Sequence, residues 1–440
     1  MKRLAALLLV LALLPAAAFA EKAASLPAAF RVEYKVMERL EGKSKDHFIS
    51  KEHVTTAQPQ VDTEINALVD DYDALREPEM KTCSNPKRNS RLDIHVIHSV
   101  TGDRVVSFLV LARESYKRKQ VQSPFTTRTY DMSTGQRLYL ADLFPDDSEA
   151  WGVIAEAVRE GLTNYFPQLE TDEEKLSALV SRDALENAEF MLGPVSLSLH
   201  YEASVLYEGK PSLMRVVIPY AKLRGMMTDF AERQTDNSNY KMVALTFDDG
   251  PSYGTSATLL NNLRHTGTQA TFFLVGDRID EYADIVLREH DENHSLQSHH
   301  YKHTDTTKSN NARIQKYTQQ FYDTVTKLYG LAPIMLRPPY GLDEPFIKAK
   351  VDLPIIQWDV DTKDWTGKSK SAVMSVVRAE TKDGSIILMH DIKEKTPESA
   401  LAAAEWLHEN GFLCVTVEEL FAQYGQEMVP NHNYYSVKAD

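Results

Sequence analysis

The segment TFDDGP, residues 246–251, sets two adjacent carboxylates, Asp248 and Asp249, after the apolar run KMVALTF and follows them with Gly250-Pro251. Like charges side by side repel, and Pro251 stops a strand from continuing. The pair belongs either to a solvated turn or to a site that holds something positive. Downstream, EHDENHSLQSHHYKHTD (289–305) carries five of the fourteen histidines and two pairs at i, i+4 spacing, His290/His294 and His299/His303. On a helical turn either pair presents both imidazoles on one face. A carboxylate from elsewhere then completes an Asp-His-His set for a divalent metal. A histidine-rich surface loop is the alternative. In LRPPYG (336–341) two prolines fix the backbone and hold Arg337 and the Tyr340 N–H in place. WDVDTKDW (358–365) spends two of four tryptophans beside three acidic residues, and SIILMHD (385–391) ends on His390, an acid/base candidate, with Asp391 beside it.

Such residues act together only if a scaffold gathers their segments. From residue 241 the chain alternates strand and helix: KMVALTF, TSATLLNNLRHTG, QATFFLV, DEYADIVLREH, ARIQKYTQQFYDTVTKLYG, IMLR, LPIIQWDV, SAVMSVVRAE, GSIILMH, ESALAAAEWLHENG and LCVTV. Near-continuous apolar strands between helices mean a parallel sheet covered by helices, and a run this long fits a barrel. In such barrels the chemistry sits at the C-terminal strand ends, where each segment above falls. Residues 28–230 read instead as α+β. FRVEYKV (30–36) and SFLVLAR (107–113) are strands, and TRTYDMSTGQRLYL (127–140) is a hairpin turning at Ser133-Thr134-Gly135. SEAWGVIAEAVREGLTNYF (148–166) is a helix with a serine cap, and LGPVSLSLHYE and LMRVVIPYAKL are further strands. This half gathers no His, Cys or carboxylates at catalytic spacing. ERQTDNSNY (232–240) is polar, placing a linker at 231–240 between this accessory domain and a second domain at 241–425, with a C-terminal tail at 426–440.

The 440 residues, 43% hydrophobic and 25% charged, are enough for two or three domains and more than one sizeable core. A net charge of -14 disfavours nucleic acid as a partner. Lys2 and Arg3, the apolar run Leu4 to Leu14 and Ala18-Phe19-Ala20 read as a secretory signal over residues 1–20. That run is shorter than the roughly 20 residues of a membrane span. A mature protein that is exported, without a membrane span, is the expectation, in the extracellular space, cell wall or periplasm. Two cysteines, Cys83 and Cys414, make no disulfide framework and read as buried free thiols.

The C-terminal half resembles the NodB-homology polysaccharide deacetylases, of the carbohydrate esterase family 4 type. Five motifs stand in the family's order: TFDDGP at 246–251, His299-His300-Tyr301-Lys302-His303 for H-[ST]-x-x-H, RPPYG at 337–341, DTKDW at 361–365, and Leu388-Met389-His390 for L-x-H. The match covers roughly residues 238 to 425 and selects His299/His303 over His290/His294. The resemblance implies a distorted (β/α) barrel that removes acetyl groups from carbohydrates with a divalent metal on Asp249, His299 and His303. Zn2+ is expected, with Co2+, Ni2+ or Mn2+ able to serve. It further implies Asp248 as general base oriented by Arg337, His390 as general acid tuned by Asp364, the Tyr340 N–H on the oxyanion, and Trp365 and Leu388 around the acetyl methyl. The expected substrate is the N-acetylglucosamine unit of an envelope glycan, peptidoglycan first and chitin-like polymers second. An O-acetyl, xylan-type esterase and a non-catalytic cell-wall-binding protein are the alternatives. His300 stands where the family has Ser or Thr, offering either a different hydrogen bond or a competing ligand. More loosely, YDMSTGQRLYLADLF and RVVIPYAKL resemble the uncharacterised α+β domain ahead of deacetylase domains in some bacterial cell-wall enzymes, which implies a role in envelope or glycan attachment.

Overall fold

The computed structural model describes residues 31–41, 47–82, 90–116, 119–122, 124–210 and 212–437. The expected signal segment and Cys83 lie outside them. Cys414 is free and buried, as expected. Among the described residues no helix is long and apolar enough to cross a membrane.

The accessory half begins with a seven-stranded sheet of β1 (Glu33–Glu41), β2 (His47–Thr55), β3 (Ser90–Thr101), β4 (Val105–Tyr116), β5 (Lys119–Gln122), β6 (Phe125–Asp131) and β7 (Gln136–Leu138), in the order β1-β2-β3-β4-β6-β7 with β5 on β4. The run SFLVLAR falls on β4, a central strand buried on both faces, which is why it reads as continuously apolar. Its Val106, Phe108 and Val110 pack with Val61, Ile65 and Val69 of α1 (Pro59–Thr82), while Leu109 and Leu111 pack with Met191 and Leu213 behind the sheet. The hairpin β6–β7 turns where expected, with Gly135 at φ 71°. Helix α2 (Ala150–Thr163), short helices α3 (Glu173–Leu179) and α4 (Arg182–Glu186), and a three-stranded sheet β8 (Phe190–Leu192), β9 (Ser196–Glu202), β10 (Leu213–Pro219) complete this half.

The expected linker is a correction. Residues 229–235 form helix α5 (Asp229–Thr235), capped by Thr228, with Ala231, Gln234 and Thr235 buried. Three polar residues of the expected linker, Gln234, Thr235 and Asn237, are buried: Gln234 bonds Asp103 at 2.8 Å, and Asn237 takes a hydrogen bond from Gln423 of the second half at 2.9 Å. A polar stretch here signals a hydrogen-bonded joint rather than a loose connection.

The second half is a parallel barrel. Its strands are β11 (Lys241–Asp248), β12 (Thr271–Leu274), β13 (Ser295–Ser298), β14 (Ile355–Ile356), β15 (Val360–Asp361), β16 (Ser385–His390), β17 (Phe412–Cys414) and β18 (Asn433–Tyr434). The main sheet runs β13-β12-β11-β16-β15 with β17 on β11. Outside it lie α6 (Thr255–Thr266), α7 (Ala283–Asp291), α8 (Asn311–Tyr329), α9 (Glu344–Ala349), α10 (Lys370–Glu380), α11 (Thr396–Glu409) and α12 (Val417–Gln423). Two-residue alternation divides each strand. Val243, Leu245 and Phe247 meet the helix layer, while Met242 and Ala244 face inward with Phe273, Met335, Ile356 and Ile386. The same alternation carries the inward face on to Thr246 and Asp248, and on β16 to Leu388 and His390.

Two expected strands are shortened, with one cause. IMLR contributes only Leu336, bridging Ser298 and Ile355, and LPIIQWDV splits into the two-residue strands β14 and β15. The buried Arg337 guanidinium donates to the carbonyls of Ile356 (3.2 Å) and Gln357 (2.9 Å), acceptors that a regular ladder would use. The tail is also corrected: β18 pairs parallel with β14, Ser436 bridges Ser385, and Val437 donates to the Gly384 carbonyl at 2.9 Å with its side chain in the barrel interior. It fills the gap that the broken strands leave, because unpaired buried backbone would otherwise remain there.

Candidate active site

Four loops at the C-terminal strand ends each contain a non-glycine residue with positive φ: Asp249 (77°), His300 (66°), Tyr340 (61°) and Lys363 (55°). Each such conformation costs about 1–3 kcal/mol and persists where the surroundings impose it, typically at functional sites. Here they turn the chain so that four motifs face one another. The strand register supplies the fifth, since Asp248 on β11 lies directly beside His390 on β16.

Asp249 Oδ1 is 3.1 Å from His303 Nε2 and 3.4 Å from His299 Nε2, and the three ligand atoms lie within 4.8 Å of one another. That Oδ1 is buried and has no hydrogen-bond partner, an expensive state unless a cation takes it. His299 Nδ1 donates to the Arg337 carbonyl at 2.8 Å, which leaves its Nε2 lone pair facing Asp249. Burial, followed by the neighbouring His299, lowers the pKa of His303 and favours the neutral imidazole that a metal requires. The residues present therefore fit a divalent cation. The expected helical turn is absent: His300, in the left-handed region, folds the loop so that the two rings approach to 5.2 Å.

Asp248 is 3% exposed, and its Oδ1 accepts from Arg337 Nη1 at 2.8 Å. Arg337 is fully buried, bonds Thr246 Oγ1 at 2.7 Å, and lies over the Phe273 ring at 4.1 Å. With every Arg337 contact made inside the barrel, one Asp248 oxygen is fixed and Oδ2 is left toward His299, 4.0 Å away. His390 Nδ1 is 2.8 Å from Asp364 Oδ1. Asp364 Oδ2 accepts from the His390 backbone N–H (2.8 Å) and from Thr396 Oγ1 (2.6 Å). Burial opposes the imidazolium, but the hydrogen bond to Asp364 and the charge of Asp248 outweigh it and raise the His390 pKa. Tyr340 and Trp365 stand exposed at the rim, the Tyr340 ring 4.4 Å from that of His303, and Leu388 is buried below His390 on the same strand face.

The other histidines do not join the cluster. His290 ends α7 with its Nδ1 3.0 Å from Asp291 Oδ1, and His294 Nδ1 accepts from the Ala270 N–H at 3.2 Å. Asn293, with φ 70°, breaks the helix between them, so the i, i+4 spacing never becomes one face. His300 points away from Asp249, its ring against Phe346 and Tyr317, with a long contact to the Lys302 carbonyl at 3.4 Å. Of the two roles open to it, the competing ligand is the one this geometry excludes. Ser298 supplies the nearby hydroxyl, accepting from the His300 N–H at 3.1 Å.

Three supporting residues escaped the sequence reading. Thr246, two positions before Asp248, was recoverable from strand alternation. Thr396 had no local signal. Asp391 was noticed only as a neighbour of His390, yet it is fully buried, accepts from Ser256 Oγ at 2.5 Å, and has its pKa pushed up to about 7 by burial. A Cβ at position 250 would lie 2.1 Å from its Oδ2, so only glycine allows the TFDDGP turn to rest on this carboxyl.

The distorted α/β barrel thus carries an Asp-His-His cluster that fits a divalent cation beside an Asp–Arg and a His–Asp pair at its strand ends. Residues 235–352 match the polysaccharide deacetylase family. The chain is 35% identical over 195 residues to the peptidoglycan-N-acetylglucosamine deacetylase PgdA of Listeria monocytogenes, covering 44% of this chain and 41% of that protein. It is 31% identical over 189 residues to the peptidoglycan-N-acetylmuramic acid deacetylase PdaC of Bacillus subtilis, covering 43% of this chain and 40% of that protein. A peptidoglycan-N-acetylglucosamine deacetylase of Bacillus cereus is 30% identical over 199 residues, which cover 42% of this chain and 72% of that protein. The chain thus belongs to the polysaccharide deacetylase family, while it spans less than half the length of the Listeria and B. subtilis relatives.

Proposed function

We propose that the protein is an exported, metal-dependent polysaccharide deacetylase that removes N-acetyl groups from N-acetylglucosamine units of an envelope glycan, peptidoglycan first. The observation that carries this reading is the buried, unpartnered Asp249 Oδ1 within reach of His299 and His303, flanked by the Arg337-held Asp248 and the Asp364-held His390. Asp249, His299 and His303 would hold a divalent cation, most naturally Zn2+, which would supply Lewis acidity to water and to the acetyl carbonyl. Asp248 takes the proton from the attacking water on Oδ2, the oxygen not paired with Arg337. The Tyr340 N–H, turned by its positive φ, donates to the developing oxyanion, a contact worth about 3 kcal/mol. His390 protonates the departing amine, with Asp364 holding its ring. Trp365 at the rim and Leu388 below enclose the acetyl methyl. The signal-like residues 1–20 and the peptidoglycan deacetylases among the relatives support an envelope substrate.

The same residues serve an O-acetyl esterase, so the test compares both bonds. Acetate release from peptidoglycan fragments and chitin oligomers, with acetyl-xylan in parallel, is expected from the amide substrates and is expected to stop on chelation and return with Zn2+. Acetate from the ester alone would replace the reading with an esterase. No acetate from any substrate, with metal bound, would favour a wall-binding protein.

Asp364→Asn tests the acid. His390 must be protonated to act, so activity is present below its pKa and lost as pH rises through it. Removing the Asp364 charge takes away the largest contribution that raises that pKa, so burial is less fully opposed and the pKa falls. The alkaline limb of kcat against pH is expected to move to lower pH, and an unmoved limb would assign the proton elsewhere.

A further inference from the structure

At the end of the barrel opposite Asp248 and Asp249, a crevice with about 100 Å³ of room opens between the two halves of the chain. Its position follows from the topology: Gln269 precedes β12, whereas the site residues follow their strands. The accessory half contributes Ser99, Met191, Arg215 and Val217, and the barrel half contributes Gln269 and Glu418. That room is several times what a single ordered water needs and suits a ligand of only a few non-hydrogen atoms.

The lining is unfinished in a particular way. Ser99, 6% exposed, has a buried hydroxyl with no hydrogen-bond partner, and Gln269 Oε1 and Glu418 Oε2 are buried and unpartnered as well. Arg215 makes no side-chain hydrogen bond or ion pair among the described residues. It and Glu418 line the same crevice, where its charge acts on that carboxyl without a hydrogen bond or close ion pair joining the two. One face thus offers a guanidinium, which recognises a carboxylate through two parallel N–H donors. The other offers two acceptor oxygens suited to an ammonium, with a hydroxyl able to serve either. Met191 and Val217 add an apolar wall for a short side chain.

We infer that this interdomain crevice binds a small zwitterion of the α-amino acid class, its carboxylate on Arg215 and its ammonium on Glu418 and Gln269. Because the ligand touches both halves, its binding fastens the accessory half to the barrel and raises the unfolding temperature of the whole chain. The site is separate from the acetyl chemistry and does not depend on that assignment.

The test uses the full chain with calorimetry and thermal unfolding against D- and L-alanine, D-alanyl-D-alanine, and the half-ligands acetate and methylamine. At least one zwitterion is expected to bind at millimolar concentration or below and to raise the unfolding temperature, with each half-ligand weaker by about tenfold or more. Arg215→Gln and Glu418→Gln are each expected to weaken binding by about tenfold or more. Because either variant could unsettle the interface, circular dichroism and unsupplemented unfolding temperature are measured for both. No stabilisation by any zwitterion, equal binding of acetate, or unchanged affinity in a folded Arg215→Gln would overturn the assignment. Binding of the dipeptide alone would overturn the free amino acid as the ligand.

Discussion

Asp248→Asn is expected to lower acetate release by about 10²–10⁴-fold while metal binding at Asp249, His299 and His303 is retained. The magnitude is that of removing a positioned general base. Asparagine keeps the shape of the side chain and still accepts from Arg337 Nη1, now 2.8 Å from Asp248 Oδ1, but has no basic oxygen to take a proton. The fully buried Arg337 then lacks its counter-charge, so some loss of stability accompanies the loss of activity. Metal titration and thermal unfolding of the variant separate the two effects. A folded, metal-loaded Asp248→Asn that retains more than about a tenth of wild-type kcat would remove Asp248 from the base role.

Glu52→Ala is expected to destabilise the protein by about 3–5 kcal/mol, although it lies far from the site in sequence and in role. Glu52 on β2 is 2% exposed and takes a two-point contact from Arg264 of α6, Nη2 to Oε1 at 2.6 Å and Nε to Oε2 at 3.0 Å. Arg264, 3% exposed, also reaches Glu292 at 3.0 Å, and His265 comes within 3.2 Å of Glu52. Removing Glu52 takes the two-point contact from a buried guanidinium between the halves and leaves Glu292 as its one carboxylate partner among the described residues. Burial acts to raise the Glu52 pKa, but Arg264 and then His95 hold it well below the usual carboxylate range. A depressed folded pKa means the contribution is complete above the unfolded value of about 4.3 and is lost as pH falls below it. Urea unfolding at neutral pH measures the effect. Glu344→Ala, which breaks an exposed pair with Lys348, is the control and is expected to leave stability almost unchanged. A Glu52→Ala loss no larger than the control would show that the halves are held by apolar packing instead.

These two residues mark the boundary of what was legible in the chain. Asp248 could be picked out as a candidate because its segment carries a local pattern: an apolar run, a charge pair and a proline stop. Arg337 and His390 were readable as candidates for the same reason, whereas His299, His303 and Asp364 were singled out from their neighbours only by the family resemblance. A parallel barrel then brings successive strand ends together whatever the details of its loops. Glu52 carried no such pattern, since its meaning depends on Arg264, 212 residues away.

The same distinction explains the corrections. A polar stretch at 231–240 looks alike whether its side chains meet water or, like Asn237, meet Gln423 across a joint. The C-terminal residues 433–437 look like a tail until β14 and β15 prove too short to close the sheet, a consequence of Arg337 capturing the Ile356 and Gln357 carbonyls. Spacing made His290/His294 and His299/His303 equivalent as chelating pairs, and left His300 free to face the metal site. Backbone dihedrals at Asn293 and His300 broke both ambiguities. Local order fixes which groups are available for chemistry, through residue type and a two- or four-residue period. Which of them meet, which way an imidazole turns, and what a buried charge leans on depend on contacts between segments distant in the chain, where no short-range period reaches.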